Sequence, residues 1–159
     1  MALLSGHGID VALPAGWDGR LYRRDPGEQT AAAEMSPTGT TYAVLHAASF
    51  PLPADRGDLG SGAVEMMRRD DVLMVLVEHG PEAVGTALFA APGPPSRLSP
   101  RDFGPDSLLR SIPGQLGTQR FFSVNRRAFC LYVVLAGNDL ERSVPVVNSL
   151  LRTLRIDPA

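Results

Sequence analysis

Apolar and polar positions alternate over residues 8–13, with Ile9, Val11 and Leu13 on one side and Asp10 and Ala12 on the other. That period of two predicts a half-buried strand, stopped by Pro14-Ala15-Gly16. Leu21 and Tyr22 among arginines mark a second strand over 19–24, with Pro26-Gly27 as the next turn signal, and the two strands are expected to pair as a hairpin. Residues 29–39 are small and polar and read as a loop or a weak edge segment. Tyr42, Val44, Leu45 and Phe50 predict a third strand over 40–50, ended by Pro51 and Pro53. After a loop over 54–60, Ser61 is placed to cap a short helix reaching Arg69, with Ala63, Val64 and Met67 on one face. Residues 72–78 are almost continuously apolar, the pattern of a central strand covered on both faces.

The second half begins with a predicted strand over 85–90. A stretch holding Pro92, Pro94, Pro95, Pro100 and Pro105 follows, with no apolar period. One or two helical turns are expected over 106–111. Residues 119–124 and 128–136 flank Asn125-Arg126-Arg127 and predict a hairpin, because asparagine tolerates the left-handed geometry of a tight turn. Asn138 then opens a helix in which Val144, Val147, Leu151 and Leu154 share a face with Leu150 beside them, while Asn148, Arg152 and Arg155 are expected opposite. Pro145 fits that helix only if its regular part starts within a residue or two of Ser143, since a proline ring clashes with the carbonyl four residues back. The fold class that results is α+β: an antiparallel sheet with a C-terminal amphipathic helix packed on one face, in a single domain over 1–159.

Composition narrows the function classes. With 159 residues, 44% hydrophobic and 20% charged, the chain can bury one ordinary core. Every one of its fifteen basic residues is arginine, which reads as coding bias, and a net charge of −2 argues against nucleic-acid binding. Arg23-Arg24, Arg68-Arg69 and Arg126-Arg127 are expected on the solvated surface. Residues 1–9 carry no export signal, and the longest apolar run, 128–136, is about half the length of a membrane span. The one cysteine, Cys130, lies in that run and is expected as inert core packing in a reducing, cytoplasmic setting.

Few residues point to chemistry. Gly60-Ser61-Gly62 opens the short helix and offers backbone N–H groups to an anion, but no P-loop lysine follows and the preceding loop is too long for a dinucleotide turn. His46, Glu65, Glu78 and His79 form the one conceivable metal cluster, on strands and a helix whose faces spacing leaves open; no metal and no cofactor are expected. Asp70-Asp71 reads as a helix-to-strand turn and not as a carboxylate pair. No serine-hydrolase elbow is present, and the chain is read as leaning away from an enzyme.

The opening Ile9-Asp10-Val11-Ala12-Leu13-Pro14-Ala15-Gly16-Trp17 and the closing Val147-Asn148-Ser149-Leu150-Leu151-Arg152-Thr153-Leu154 resemble the PsbP-like fold. Leu45 to Phe50, Arg56-Gly57-Asp58, Pro113-Gly114-Gln115 and Ala128 to Tyr132 are similar to segments of a group of actinobacterial proteins from which no function carries over. The PsbP-like resemblance implies a non-enzymatic protein-interaction, adaptor or assembly module; the alternative is a small-molecule or anion-binding protein, an enzyme of unrecognised type included. Another protein is the expected partner, with no nucleic acid and no membrane, and self-association stays open. The partner surface is expected on the loop 91–105 with Arg97, Arg101 and Phe103, because a proline-dense backbone loses little entropy on binding and arginine and aromatic side chains favour hot spots. Phe103 has a second reading, as a ring tucked under the loop to hold it down.

Overall fold

A computed structural model describes residues 1–24 and 42–159. Strands β1 (Ala2–Gly6) and β2 (Ile9–Leu13) form an antiparallel pair joined at His7-Gly8. Both turn residues have positive φ, 52° and 75°, which is the twist a two-residue hairpin requires. β3 (Asp18–Arg23), β4 (Ala43–Ala48), β5 (Val72–His79), β6 (Gln115–Val124) and β7 (Arg127–Ala136) follow, then helix α1 (Leu140–Thr153) and the short β8 (Arg155–Ile156).

These strands make two antiparallel sheets, β1-β2-β8 and β3-β4-β5-β7-β6. The architecture is α+β. The expected hairpin of β2 with β3 does not form. β2 has β1 on one edge and β8 on the other, so β3 turns away after Trp17, whose N–H closes on the Pro14 carbonyl at 3.2 Å, and pairs with β4. The weak segment predicted over 29–39 lies outside the described residues.

Both faces of the five-stranded sheet are covered. Leu45, Met74, Leu76, Leu131, Val133 and Leu135 point to one face, where α1 brings Val144, Val147, Leu150 and Leu151 and the small sheet brings Ile9, Val11 and Leu13. Val44, Leu73, Val75, Val77, Tyr132 and Val134 point to the other, where irregular chain brings Phe50, Leu52, Ala63 and Val64. β5 is central and buried throughout except for His79, as its unbroken apolar run requires.

Local elements depart from expectation where proline and glycine intervene. The helix predicted from Ser61 to Arg69 shrinks to one 3₁₀ turn, Val64–Met66, because Gly60 and Gly62 take positive φ and Met67 is extended. The strand predicted over 85–90 is a 3₁₀ turn, Ala87–Phe89, following Gly85 at φ 84°. Pro81, Pro100 and Pro105 each open a 3₁₀ turn, where their missing N–H costs nothing. The β6–β7 hairpin forms around Asn125 and Arg126, both at positive φ, with Arg127 already in the strand.

Helix α1 starts at Leu140, capped by the Asp139 carboxylate on the Arg142 N–H, and runs through Pro145. The expectation tied its start to Ser143. The earlier start is tolerated because Glu141, whose carbonyl would have received the missing bond, is exposed to water, as is Pro145 itself. Asn148 also departs from expectation: it is buried, since it flanks Val144 one turn on.

Candidate functional site

Residues 91–105 form a strap over the outer edge of β6. The strap enters from Phe89, packed between the rings of His79 (5.0 Å) and Phe121 (5.6 Å). Ser123 pins that end by donating its N–H to the Ala91 carbonyl at 2.9 Å and its hydroxyl to the Phe89 carbonyl at 2.8 Å. In the middle Asn148 clamps Leu98: the Leu98 N–H donates to Oδ1 at 2.8 Å and Nδ2 donates to the Leu98 carbonyl at 2.9 Å. At the far end Gly104 and Gly117 exchange two backbone hydrogen bonds of 3.0 Å. The strap thus pairs Gly117 and the Ser123 N–H on an edge that would otherwise leave these backbone groups open.

The three residues expected to meet a partner fall in different surroundings. Arg97 and Arg101 are exposed, and neither guanidinium has a carboxylate partner among the described residues. Phe103 is only 8% exposed and belongs to the core beneath α1, so its ring holds the strap down and does not face outward. Asp102, between them, pairs with Arg120 at 2.8 Å; the Ser99 N–H that donates to its carboxylate holds it below the ordinary carboxylate range. Beneath Arg97 lies a groove of about 390 Å³, floored by Phe121 and Phe122 and walled by Ala91 and Pro95.

The glycine-rich segment is already engaged from within. The Gly60 N–H donates to the Gly57 carbonyl at 3.0 Å, and the Gly62 N–H donates to the Glu65 carboxylate at 2.7 Å. Glu65 thus stands where an external anion would sit, Ser61 is exposed, and a 3₁₀ turn of three residues has no helix N-terminus to add. His46, Glu65, Glu78 and His79 do not converge. His46 faces Arg56 and Asp58, Glu65 pairs with Arg110, Glu78 pairs with Arg127, and His79 stacks on Phe89. No group of three or more His, Cys, Asp or Glu comes together among the described residues.

Two buried polar clusters escape a reading of sequence pattern. At one end of the sheet Arg127, 3% exposed, forms a forked pair with Glu78: Nε to Oε2 at 2.8 Å and a terminal nitrogen to Oε1 at 2.9 Å. The same guanidinium donates to the Asp157 carbonyl at 3.0 Å and lies 5.2 Å over the Phe129 ring, and the Asp157 N–H donates to Gly8. This pair joins both sheets and the C-terminal residues. The surface placement expected for Arg126-Arg127 therefore fails for Arg127, which lies inward because the strand alternation puts it on the Phe129 side. An isolated glutamate closing an apolar strand was the available signal, since a buried carboxylate requires a cation.

The second cluster fastens the irregular cover. His46, on β4, presents Nε2 to the Asp58 carbonyl at 2.7 Å and accepts from Arg56 Nε on Nδ1 at 2.8 Å, which fixes the proton on Nε2. Tyr22 donates its hydroxyl to the Asp58 carboxylate at 2.8 Å, and buried Arg24 faces that carboxylate at 3.2 Å and donates to the Glu78 carbonyl at 2.9 Å. Burial pushes His46 down to about 4, and burial together with the Asp58 carboxylate pushes the Tyr22 phenol up. Both rings stay neutral near pH 7. With each His46 nitrogen committed, the cluster fastens chain and has no free base to offer a substrate. Cys130 is buried, and burial raises its thiol to about 11, so it carries little thiolate.

No protein-family model, curated protein or solved structure matches this chain. The class established is therefore that of the fold: a two-sheet antiparallel α+β domain with a C-terminal helix packed on it. Among the described residues no helix is long and apolar enough to cross a membrane.

Proposed function

We propose that this chain is a non-catalytic protein-interaction module, an adaptor or assembly factor of the cytoplasm, and that another protein docks along the strap 91–105. The observation that carries this reading is a strap fixed at both ends and at Leu98 while Arg97 and Arg101 stand exposed without carboxylate partners. A fixed backbone has little entropy left to lose on association, and arginine is enriched among the residues that dominate interface energy. Phe103 serves this surface from below, as the anchor that keeps it in shape. The resemblance of the two chain ends to the PsbP-like fold points the same way, as an analogy of fold.

Affinity capture from the native cell extract, with wild type beside an Arg97→Ala/Arg101→Ala double variant, tests the reading. A protein retained by wild type and lost from the double variant, at an unchanged unfolding midpoint, is the expected result. Equal retention by both contradicts it. Phe103→Ala is expected to lower the unfolding midpoint, which separates the anchor from the contact residues. A second reading, a small-molecule or anion-binding protein, is favoured by a separate cleft whose wall includes Gln115.

A further inference from the structure

β6 is an outer strand of the five-stranded sheet, and the strap bonds to its edge only near the two ends. The register of β6 on β7 is unbroken from Gln115 to Val124, so the backbone groups of β6 turn alternately inward to β7 and outward. The bonds of Gly117 with Gly104 and of the Ser123 N–H with Ala91 mark the odd-numbered residues as the outward ones. Gln119 and Phe121 lie between them on the same side. Their N–H and C=O groups have no partner among the described residues, because the strap leaves the edge here to reach the Asn148 clamp at Leu98.

This opening borders the groove of about 390 Å³ beneath Arg97. Phe121 lines the groove together with Phe122, although its ring packs on Phe89 on the opposite face of the sheet, so the groove meets the strand edge itself. The charged residues of the groove are Arg97, Arg120 and Asp102. The last two pair at 2.8 Å, which leaves Arg97 as a net positive charge.

Open backbone groups on a fixed strand edge are a template for an added strand. The length of the opening selects its direction. In the antiparallel sense, two residues of a partner each exchange both bonds, one with Phe121 and one with Gln119, and three residues fill the opening. In the parallel sense, the same four groups need five residues, whose ends run against Gly104 and Ala91.

We propose that the partner of the strap adds a three-residue extended segment to β6, antiparallel, with an apolar residue opposite Phe121, an acidic one opposite Arg120 and a small polar one opposite Gln119. Directly opposite residues share a face, which puts the acidic side chain into the groove beside Arg97 and the apolar one beside Phe121 and Phe89. This assignment rests on the strap reading and names its contact.

Amide shift titration of the full chain with acetyl-Ser-Val-Asp-Thr-Ser-amide tests it, beside peptides N-methylated at valine, N-methylated at aspartate, or carrying asparagine for aspartate. The valine N–H donates to the Phe121 carbonyl, whereas the aspartate N–H points away from β6. Expected is saturable binding with a Kd of about 1 mM, with shifts over 117–123 and slowed exchange of the Gln119 and Phe121 amides. N-methylvaline and asparagine are each expected to weaken it at least about tenfold, with N-methylaspartate within about threefold of the parent. Gln119→Pro, which removes one outward N–H from an edge strand, is expected to lose binding that Gln119→Ala keeps; the N-methyl comparison holds however the proline variant folds. No saturation up to about 10 mM, or equal loss from both N-methylated peptides, overturns strand addition, and the strap reading then survives if Arg97→Ala/Arg101→Ala still loses the captured protein. Strand addition by the peptide beside equal capture by wild type and that double variant overturns the strap reading alone.

Discussion

The two faces of the five-stranded sheet are covered by different means. On one face α1 and the small sheet lay down a regular apolar layer, in which Leu150 and Val147 are fully buried against Leu76 and Leu131. Its buried ion pair, Arg127 with Glu78, sits at the end of the layer and ties it to the C-terminal residues. On the other face the cover is irregular chain, fastened by side chains that reach backbone: His46 to the Asp58 carbonyl, Arg56 to the Pro53 carbonyl, Gln115 to the Val64 carbonyl. A periodic layer distributes its stabilisation over many small apolar contacts, whereas an irregular cover concentrates it in a few hydrogen bonds whose loss exposes buried partners.

Removing the ion pair is expected to have the largest effect. Arg127→Ala leaves the Glu78 carboxylate buried without its cation, and the cost is about 3–5 kcal/mol, read as a lower midpoint in denaturant unfolding. Loss of under about 1 kcal/mol would mean that water reaches Glu78 and that the two sheets are joined by apolar contact alone.

Acid is expected to act next, and on the irregular face. Unfolded, His46 takes its ordinary value of 6.5; folded, burial holds it at about 4. Between those values the unfolded chain binds the extra proton, so the His46 contribution is intact above about pH 6.5 and is lost as pH falls through 4. The loss is about 3 kcal/mol. His46→Phe is expected to start less stable but to show a flatter dependence between pH 6.5 and 4, measured by urea unfolding at a series of pH values. An unchanged slope in that variant would show that another group carries it.

A smaller effect is expected at Asn148, which links the regular layer to the strap. Asn148→Ala leaves the Leu98 N–H and carbonyl without partners and should cost about 1–3 kcal/mol. Faster proteolysis within 91–105 should accompany it, with cleavage of α1 unchanged.

The same contrast explains what was legible in the sequence. The period-two stretch at Ile9, Val11 and Leu13, the apolar run of β5, the Asn125-Arg126 turn and the face of α1 are all periodic or positional signals, and each appears at its place. The three-residue turn at Val64, the plug of Phe89 and the inward course of Arg24 and Arg127 are not periodic. The buried arginines depend on partners far along the chain, Arg127 on the Glu78 carboxylate forty-nine positions away and Arg24 on the Glu78 carbonyl fifty-four positions away. Arg97 and Arg101 were legible as exposed cations, whereas Phe103 packs into the core on the α1 side, and the Asn148 clamp on Leu98 in the same strap is a contact across fifty positions. Gln115 gave no periodic signal, because its hydrogen bond reaches the Val64 carbonyl fifty-one positions away.

Native-state hydrogen exchange, expressed as protection factors at pH 7 and at about pH 4.5, tests the contrast most directly. The account predicts that the bonded amides of Gly57, Gly60, Ala63 and Val64 lose protection at the lower pH, while those of α1 and β5 keep theirs. Equal loss across both faces, or loss in α1 first, would contradict the claim that His46 fastens one cover of the sheet independently of the other.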